Sequence, residues 1–70
     1  MKLPTAFDRS AGGILVTCTE CPHWFAFRLA DDQRGAYLAS EGHLQRVHDV
    51  DPHDAAAPRR LWEKRHAADA

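Results

Sequence analysis

The chain has 70 residues, so it encodes one domain at most, and a single core in so short a chain supplies only about 3–5 kcal/mol of stability. The formal net charge of −1 excludes a general electrostatic attraction to nucleic acid or to an anionic membrane surface. No apolar run approaches the ~20 residues of a membrane span, and the first segment, MKLPTAFDRS, lacks the apolar centre of a signal peptide. We therefore expect a cytoplasmic protein, and in that compartment cysteine pairs bind metals or take part in catalysis more often than they form disulfides.

The N-terminal part of the sequence predicts an arm followed by a hairpin. Residues 1–13 include adjacent glycines and show no hydrophobic periodicity, so we expect an irregular arm there. The segments ILVTC (14–18) and WFAFRL (24–29) are rich in β-branched and aromatic residues, which predicts two strands. A tight turn joins these strands and places Cys18 and Cys21 together at the mouth of the hairpin.

The alternating side chains of the second strand define two faces. We expect Phe25, Phe27 and Leu29 to face the core and Trp24 to lie on the outer face of the hairpin. In that position, either the N-terminal arm or the last helix covers Trp24, or Trp24 contacts a partner. The other large side chains that we assign to the core are Tyr37, Leu44 and Val47.

The stretch DDQRGAYLASEGHLQRVHDVDP predicts one long helix. Asp31 or Asp32 is a favourable N-cap, and Pro52 restricts the residue before it, so the helix should end near residues 48–50. Each of the two glycines in this stretch weakens the helix by about 1 kcal/mol relative to Ala, so the helix needs tertiary support. At 100° per residue, the face turned toward the hairpin carries Ala36, Tyr37, Ser40, His43, Leu44, Val47 and His48.

The C-terminal part predicts a linker over residues 51–57 and a short basic helix or flexible tail over residues 58–70. Pro58 suits the first turn of such a helix. Within residues 59–65, four basic side chains and Glu63 give a local charge of +3. The basic residues have two interpretations, a solvated helix face and a contact with phosphate groups. They are Arg59, Arg60, Lys64 and Arg65.

The pattern Cys18-x-x-Cys21 followed by His43-x-x-x-x-His48 supplies two thiolate and two imidazole ligands. A structural zinc ion takes four such ligands in a tetrahedral arrangement, so the pattern predicts a zinc site. Each alternative role for the cysteines lacks a supporting feature. A redox pair would belong to a βαβ pattern, which this sequence lacks. A disulfide would close a very short loop and stabilise the fold little. For a nucleophilic cysteine, the sequence indicates no substrate pocket.

In order and chemistry these ligands resemble those of the two-Cys/two-His zinc finger. Val16, two residues before the first cysteine, and Phe25, four residues after the second, also match that family, so the resemblance covers about residues 14–50. It implies a small α+β fold, a zinc-stapled ββα finger domain followed by the C-terminal helix or tail. Because 21 residues separate Cys21 and His43 instead of the usual ~12, the resemblance implies an elongated helix. The chain is similar, more weakly, to small single-finger proteins of actinobacteria and their phages.

The histidine ligands have a competing assignment. An ideal helix spreads the side chains of His43 and His48 by about 140°, so this pair requires a loosened last turn. His53 lies five residues beyond His48, so a His48/His53 pair is a second interpretation. We expect His23 and His66 to be exposed and not to bind the metal.

Four protein ligands leave zinc no open coordination position, so we expect a structural metal, no enzymatic activity and no small-molecule substrate. We expect a monomer. Its partner is either DNA or another protein, and the sequence does not decide between the two. In the resembled family, the base-reading positions would fall on Ala36, Leu38, Ala39 and Gly42, none of which forms a bidentate base contact. Contacts with nucleic acid would then fall to Arg34, Arg46, Arg59, Arg60, Lys64 and Arg65.

The alternative function is a protein–protein interaction adaptor with no nucleic-acid role. Aromatic side chains dominate the binding energy of protein interfaces. By that criterion the anchors of the adaptor are Trp24, Leu38 and Trp62. Salt separates the two functions, because phosphate contacts weaken steeply as the salt concentration rises.

Overall fold

The computed structural model describes residues 3–10 and 12–67, which form a sheet, a long helix and two shorter helices. The elements are β1 (Thr5–Asp8), β2 (Gly13–Cys18), β3 (Phe25–Leu29), α1 (Gln33–Val47), α2 (Pro52–Ala55) and α3 (Ala57–Ala67). The sheet is antiparallel with the strand order β1-β2-β3, and α1 packs across one face of it. This architecture confirms the predicted small α+β class. No helix within the described ranges is long and apolar enough to cross a membrane.

The first strand corrects the prediction of an irregular arm over residues 1–13. Thr5–Asp8 pairs antiparallel with β2, and Phe7 lies opposite Val16. The side chains of this strand alternate between half-buried and exposed. Four residues are too few for this alternation to be recognised in the sequence. Gly12, with a φ of 74°, adopts the left-handed conformation in the turn that leads into β2.

The sheet buries the face of β3 opposite to the predicted one. Phe25, Phe27 and Leu29 are 66%, 47% and 67% exposed, so their assignment to the core is wrong. The pairing register gives the reason: Ala26 lies opposite Val16 on the inner face, where its small side chain leaves room for α1. Alternation separates the two faces of a strand but does not say which one is buried when both carry apolar residues.

The core lies between the inner face of the sheet and α1. Trp24 packs into it, which corrects the expectation that Trp24 lies on the outer face. Leu44 is fully buried as predicted, Tyr37 is half-buried, and Val47 is 57% exposed and therefore not a core residue. The core cluster consists of Ile14, Val16 and Ala36, with Phe7, Trp24 and Ala26 packed around it.

Helix α1 is fixed at its start and along its middle. Asp32 is the N-cap, and its Oδ1 accepts a hydrogen bond from the Gly35 N–H at 3.0 Å. In the middle of the helix, the buried Ser40 hydroxyl donates to the Thr5 hydroxyl at 2.8 Å, which ties α1 to β1. The helix ends at Val47, one residue before the end that was predicted near residues 48–50.

Residues 52–55 form α2, which corrects the prediction of a linker over residues 51–57. Asp51 is the N-cap, and its Oδ1 accepts a hydrogen bond from the His53 N–H at 2.8 Å. Pro52 occupies the first turn, where a helix needs no N–H donor. The dipeptide Asp-Pro therefore starts a helix here. Of the two forms predicted for residues 58–70, a helix or a flexible tail, α3 shows the helix as far as Ala67, and residues 68–70 lie outside the described residues.

An ion-pair network attaches α3 to α1. The Arg59 Nε lies 3.1 Å from the Glu41 Oε1, and the Arg59 Nη1 lies 3.0 Å from the Glu63 Oε1. The side chains of Arg59 and Glu41 are only 22% and 11% exposed, so this pair is largely shielded from water. Arg34 adds an exposed contact to Glu63 at 3.5 Å.

Candidate metal centre

The structure brings Cys18, Cys21, His43 and His48 together between the sheet and the end of α1. One ligand atom from each residue lies within 4.8 Å of the others. The Nε2 of His48 lies 3.3 Å from the Cys18 Sγ and 3.5 Å from the Cys21 Sγ. Tetrahedral zinc with its usual bond lengths separates sulfur and nitrogen ligands by about 3.5 Å. The spacing of these atoms therefore fits a shared metal ion.

A double turn after β2 directs both thiols to the same point. Cys18, the last residue of β2, is buried, and its carbonyl accepts a hydrogen bond from the Cys21 N–H at 3.3 Å. The Cys21 carbonyl in turn accepts from the Trp24 N–H at 3.0 Å, which leads the chain into β3. Desolvation, followed by the neighbouring Cys18, raises the pKa of the Cys21 thiol. Two thiolates this close need a cation to neutralise them.

His43 is the buried imidazole of the site. It is 2% exposed, and its Nε2 has no hydrogen-bond partner among the described residues. Buried polar atoms are rarely left unpaired, so this nitrogen is suited to a metal bond. Burial, followed by the charges of His48 and Arg46, lowers the pKa of His43. The imidazole is therefore neutral at pH 7, the form that binds a metal.

His48 escapes the helical geometry that would turn it away from His43. It is the C-cap of α1, with φ −107° and ψ 3°, so the helix has already ended at this residue. The Leu44 carbonyl accepts hydrogen bonds from the N–H groups of both His48 and Val50, at 3.2 Å and 3.1 Å. Asp49 takes the left-handed conformation, with φ 51°. This is the loosened last turn that the spacing of the two histidines requires.

Trp24 stacks directly on His43. The ring centroids lie 3.9 Å apart and the ring planes differ by 21°. Sequence reasoning missed this contact because it placed Trp24 on the other face. Alternation along the strand places Trp24 on the same face as Ala26, but only the pairing of Ala26 with Val16 shows that this face is the buried one, so the sequence alone held no signal for the contact.

The other histidines lie away from the ligand cluster. The His53 carbonyl accepts a hydrogen bond from the Arg60 Nη1 at 2.9 Å, and its ring lies 3.4 Å from the same guanidinium. The Nδ1 of His66 lies 2.9 Å from the Trp62 carbonyl, and His23 is exposed in the turn. The structure thus groups the predicted four residues and leaves His53 out. Metal binding by the four stays a prediction.

The six cationic residues considered for nucleic-acid contact are divided among different roles. Arg59 and Arg34 form the ion pairs between α1 and α3, and Arg60 binds α2 through the His53 carbonyl. Arg46, Lys64 and Arg65 are exposed, Arg46 in the last turn of α1 and the other two in the last turn of α3. The Arg59–Glu41 pair was not predictable from sequence, because its two residues lie on separate elements.

Two of the three side chains expected to anchor a partner protein instead pack against other residues of this chain. Trp24 packs in the core, and Trp62 is half-buried with its ring 5.7 Å from that of Tyr37. Leu38 is 41% exposed. The large apolar side chains with the highest exposure lie instead on β3.

The geometry defines a candidate metal-binding site of the Cys₂His₂ kind that bridges a sheet and a helix end. This arrangement is compatible with the zinc-finger resemblance of the sequence. Comparison of the chain with protein-family models, with curated proteins and with solved structures finds no match. The assignment of the site therefore depends on its own geometry and ligand chemistry.

Proposed function

We propose that the protein is a structural zinc-binding module in which Cys18, Cys21, His43 and His48 hold one zinc ion. The observation that carries this proposal is the convergence of four ligand atoms within 4.8 Å around a buried, unpartnered His43 Nε2. A ligand set of two thiolates and two imidazoles suits zinc, and magnesium and calcium prefer oxygen ligands. The ion would fasten the end of α1 to the turn after β2.

A structural role agrees with the number of ligands. Four protein ligands fill the tetrahedral coordination of zinc and leave no position for water or substrate. Two thiolates also cancel the charge of the ion, so the centre would exert little electrostatic pull on a substrate. We propose that the protein is not an enzyme.

A metal titration tests this proposal. The reduced full-length chain is titrated with Co²⁺, whose absorption reports tetrahedral thiolate coordination, and Zn²⁺ then displaces the Co²⁺. We expect one equivalent of metal and one zinc per chain in native mass spectrometry. His43→Ala and His48→Ala should lose tetrahedral binding, and His53→Ala should keep it as the matched control. A chain that binds no metal, or that loses it only with His53→Ala, contradicts the proposal.

Contact with nucleic acid is a second candidate function, which the exposed Lys64 and Arg65 at the end of α3 support. Two phosphate contacts would give a slope of log K against log salt concentration of about −1.8. We therefore expect DNA binding that is weak, salt-sensitive and indifferent to sequence.

Charge reversal at the end of α3 tests this second function by fluorescence anisotropy with duplex DNA at low salt. Lys64→Glu with Arg65→Glu should abolish binding, and Arg59 is left unchanged because its reversal would break the attachment of α3. His66→Ala, in the same turn, is the control. Tight binding to one DNA sequence that survives the double reversal would mean that another surface reads DNA, and no binding by the wild type would exclude this function.

A further inference from the structure

The outer face of the sheet, the side turned away from α1, carries a cluster of exposed apolar side chains on one of its strands. Phe25, Phe27 and Leu29 on β3 are 66%, 47% and 67% exposed. Side chains of this size leave about 350 Å² of apolar surface open to water, which is comparable to the largest apolar patch of a typical monomer. A contiguous patch of this kind marks an interaction surface, and the charges around it indicate what it binds.

Phe27 is the ordered centre of this cluster. Its ring lies over Gly13, where even a Cβ atom would collide with it. An aromatic side chain that is held in place before binding loses little conformational freedom on binding. Phe25 and Leu29 flank Phe27, two residues away on either side along the same face, so the three side chains form a row about 13 Å long.

The β1 side of the same face is low and acidic. Ala6 and Asp8 are both exposed there, and Asp8 lies in one cross-strand row with Leu15 and Phe27. The Asp8 Oδ1 accepts hydrogen bonds from the Ser10 hydroxyl at 2.6 Å and from the Ser10 N–H at 2.9 Å, and these bonds lower the pKa of Asp8. An ionised, oriented carboxylate therefore borders the apolar cluster at neutral pH.

The positive charges of the described residues lie away from this face. The Arg9 Nη2 donates a hydrogen bond to the Gln33 side chain at 3.3 Å, on the α1 side of the sheet, and the Arg28 Nε lies 4.0 Å from the Asp32 carboxylate. The other six basic residues belong to α1 and α3. An apolar face bordered by an acid and free of described cations does not attract nucleic-acid phosphates or anionic lipids.

The same features disfavour a second copy of this chain and an added strand. A two-fold axis that exchanges Phe25 with Leu29 would set the Asp8 carboxylates of two copies against each other. At the free edge of β3, the Arg28 Nη1 donates a hydrogen bond to the Phe27 carbonyl at 2.9 Å, and charged side chains on an edge strand oppose strand pairing. An occupant of the face must therefore carry positive charge and satisfy its own backbone hydrogen bonds.

We propose that the outer face binds a basic amphipathic helix of a partner protein. The apolar stripe of this helix would lie along Phe25, Phe27 and Leu29, and a Lys or Arg beside the stripe would pair with Asp8. A helix satisfies its backbone groups internally, and the row on β3 matches the length of about two and a half helical turns. This inference goes beyond the proposed metal role and does not depend on it.

The available area makes this contact weak and transient. The helix would cover about 350 Å² of apolar surface on this chain, which is at the low end for protein interfaces. An exposed ion pair with Asp8 contributes to the choice of partner more than to affinity. We expect a Kd on the order of 100 µM.

An NMR titration of the full-length, isotope-labelled chain, prepared with zinc, tests the proposal with two synthetic helical peptides. Both peptides have about 14 residues and the same leucine stripe, and their polar positions are Lys in one and Glu in the other. We expect the Leu/Lys peptide to bind with a Kd on the order of 100 µM and to shift the amide signals of Asp8, β2 and β3. The Leu/Glu peptide should bind at least about fivefold more weakly.

Substitutions separate the charge of the face from its apolar surface. Asp8→Asn should weaken binding of the Leu/Lys peptide about threefold to fivefold and strengthen that of the Leu/Glu peptide, an inversion that a structural defect would not produce. Asp54→Asn, an exposed acid on α2, is the matched control and should change either affinity by less than about twofold. Phe25→Ser should weaken the Leu/Lys peptide at least about tenfold, and Leu38→Ser, on α1, less than about twofold. Far-UV circular dichroism and zinc content verify each fold, and Leu29→Ser replaces Phe25→Ser if the latter is unfolded.

Several results would overturn the proposal. Equal binding of the two peptides, or equal weakening by Asp8→Asn and Asp54→Asn, removes the role of charge. Signal shifts confined to the helices, or no binding of the Leu/Lys peptide at about 1 mM, removes the role of the outer face. Sedimentation velocity at the same concentrations should show a monomer, and a dimer that Phe25→Ser disrupts would assign the face to a second copy.

Discussion

Trp24 and His43 form the closest aromatic pair of the metal centre. Their stacked rings, 3.9 Å apart, restrict rotation of the imidazole and keep water from its buried side. Replacement of a residue that orients a metal ligand without binding the metal typically lowers metal affinity by about 10–100-fold. At the scale of single residues, Trp24 is therefore a positioning residue of the candidate site.

Replacement of Trp24 measures this contribution. We expect Trp24→Leu to lower Co²⁺ affinity by about tenfold, because the imidazole gains freedom and water, and Trp24→Phe to retain most of the affinity because a ring still stacks. Competition with a chromophoric chelator gives the affinities, and Trp62→Leu serves as the control away from the site. Equal affinities for Trp24→Leu and the wild type would rule out a positioning role.

The packing of α3 against α1 depends on a shielded charge pair between these two elements. Arg59 contacts both Glu41 and Glu63, and the Glu41 side chain is only 11% exposed. Removal of one member leaves the other charge poorly solvated, and this penalty exceeds that for an exposed pair. Arg34 offers the comparison, since it contacts the same Glu63 with a side chain that is 60% exposed.

We expect Arg59→Ala to lower the free energy of unfolding by about 1–3 kcal/mol, because Glu41 loses its partner in a partly buried position. Arg34→Ala should lower it by less than about 0.5 kcal/mol, the value for an exposed ion pair. Urea unfolding of the metal-loaded chain measures both, and the metal affinity of both variants should match the wild type. Similar losses for the two variants would show that the burial of the pair has no energetic effect.

At the scale of the whole molecule, the core is too small to account for a robust fold. Its fully buried side chains with appreciable volume are Ile14, Leu44, His43 and Val16, and one of these is a candidate ligand. Structural zinc contributes about 10–16 kcal/mol in small finger domains, more than such a core can supply. The fold should therefore depend on the metal.

Thermal unfolding at several free zinc concentrations checks this dependence. Each hundredfold rise in free zinc above its Kd adds about 2.7 kcal/mol, which corresponds to a rise in Tm of about 10–20 °C for a domain of this size. Complete chelation should abolish the cooperative thermal transition and collapse the dispersion of the amide NMR spectrum. A dispersed spectrum that persists after complete chelation would contradict metal-dependent folding.

The sequence predicts the candidate ligands and the ends of α1 better than it predicts which face of a strand is buried. The four candidate ligands, the N-cap at Asp32 and the end of α1 follow from local spacing and local residue type. The face of β3 does not, because Phe25 and Trp24 both belong to apolar faces and only the pairing of Ala26 with Val16 decides between them. The pairing of Arg59 with Glu41 likewise requires the position of α3, and the strand at Thr5–Asp8 is too short to be periodic.

The four candidate ligands come as two local pairs, and this arrangement bears on the rate of assembly. Cys18 and Cys21 share one turn, His43 and His48 lie at one helix end, and 21 residues separate the pairs. Closure of a loop of this length costs about 3 kcal/mol of chain entropy. An ion that meets the unfolded chain can bind the cysteine turn without closing the loop. In the zinc-bound fold that we propose, capture of the ion by the cysteine turn would therefore precede docking of the helix end.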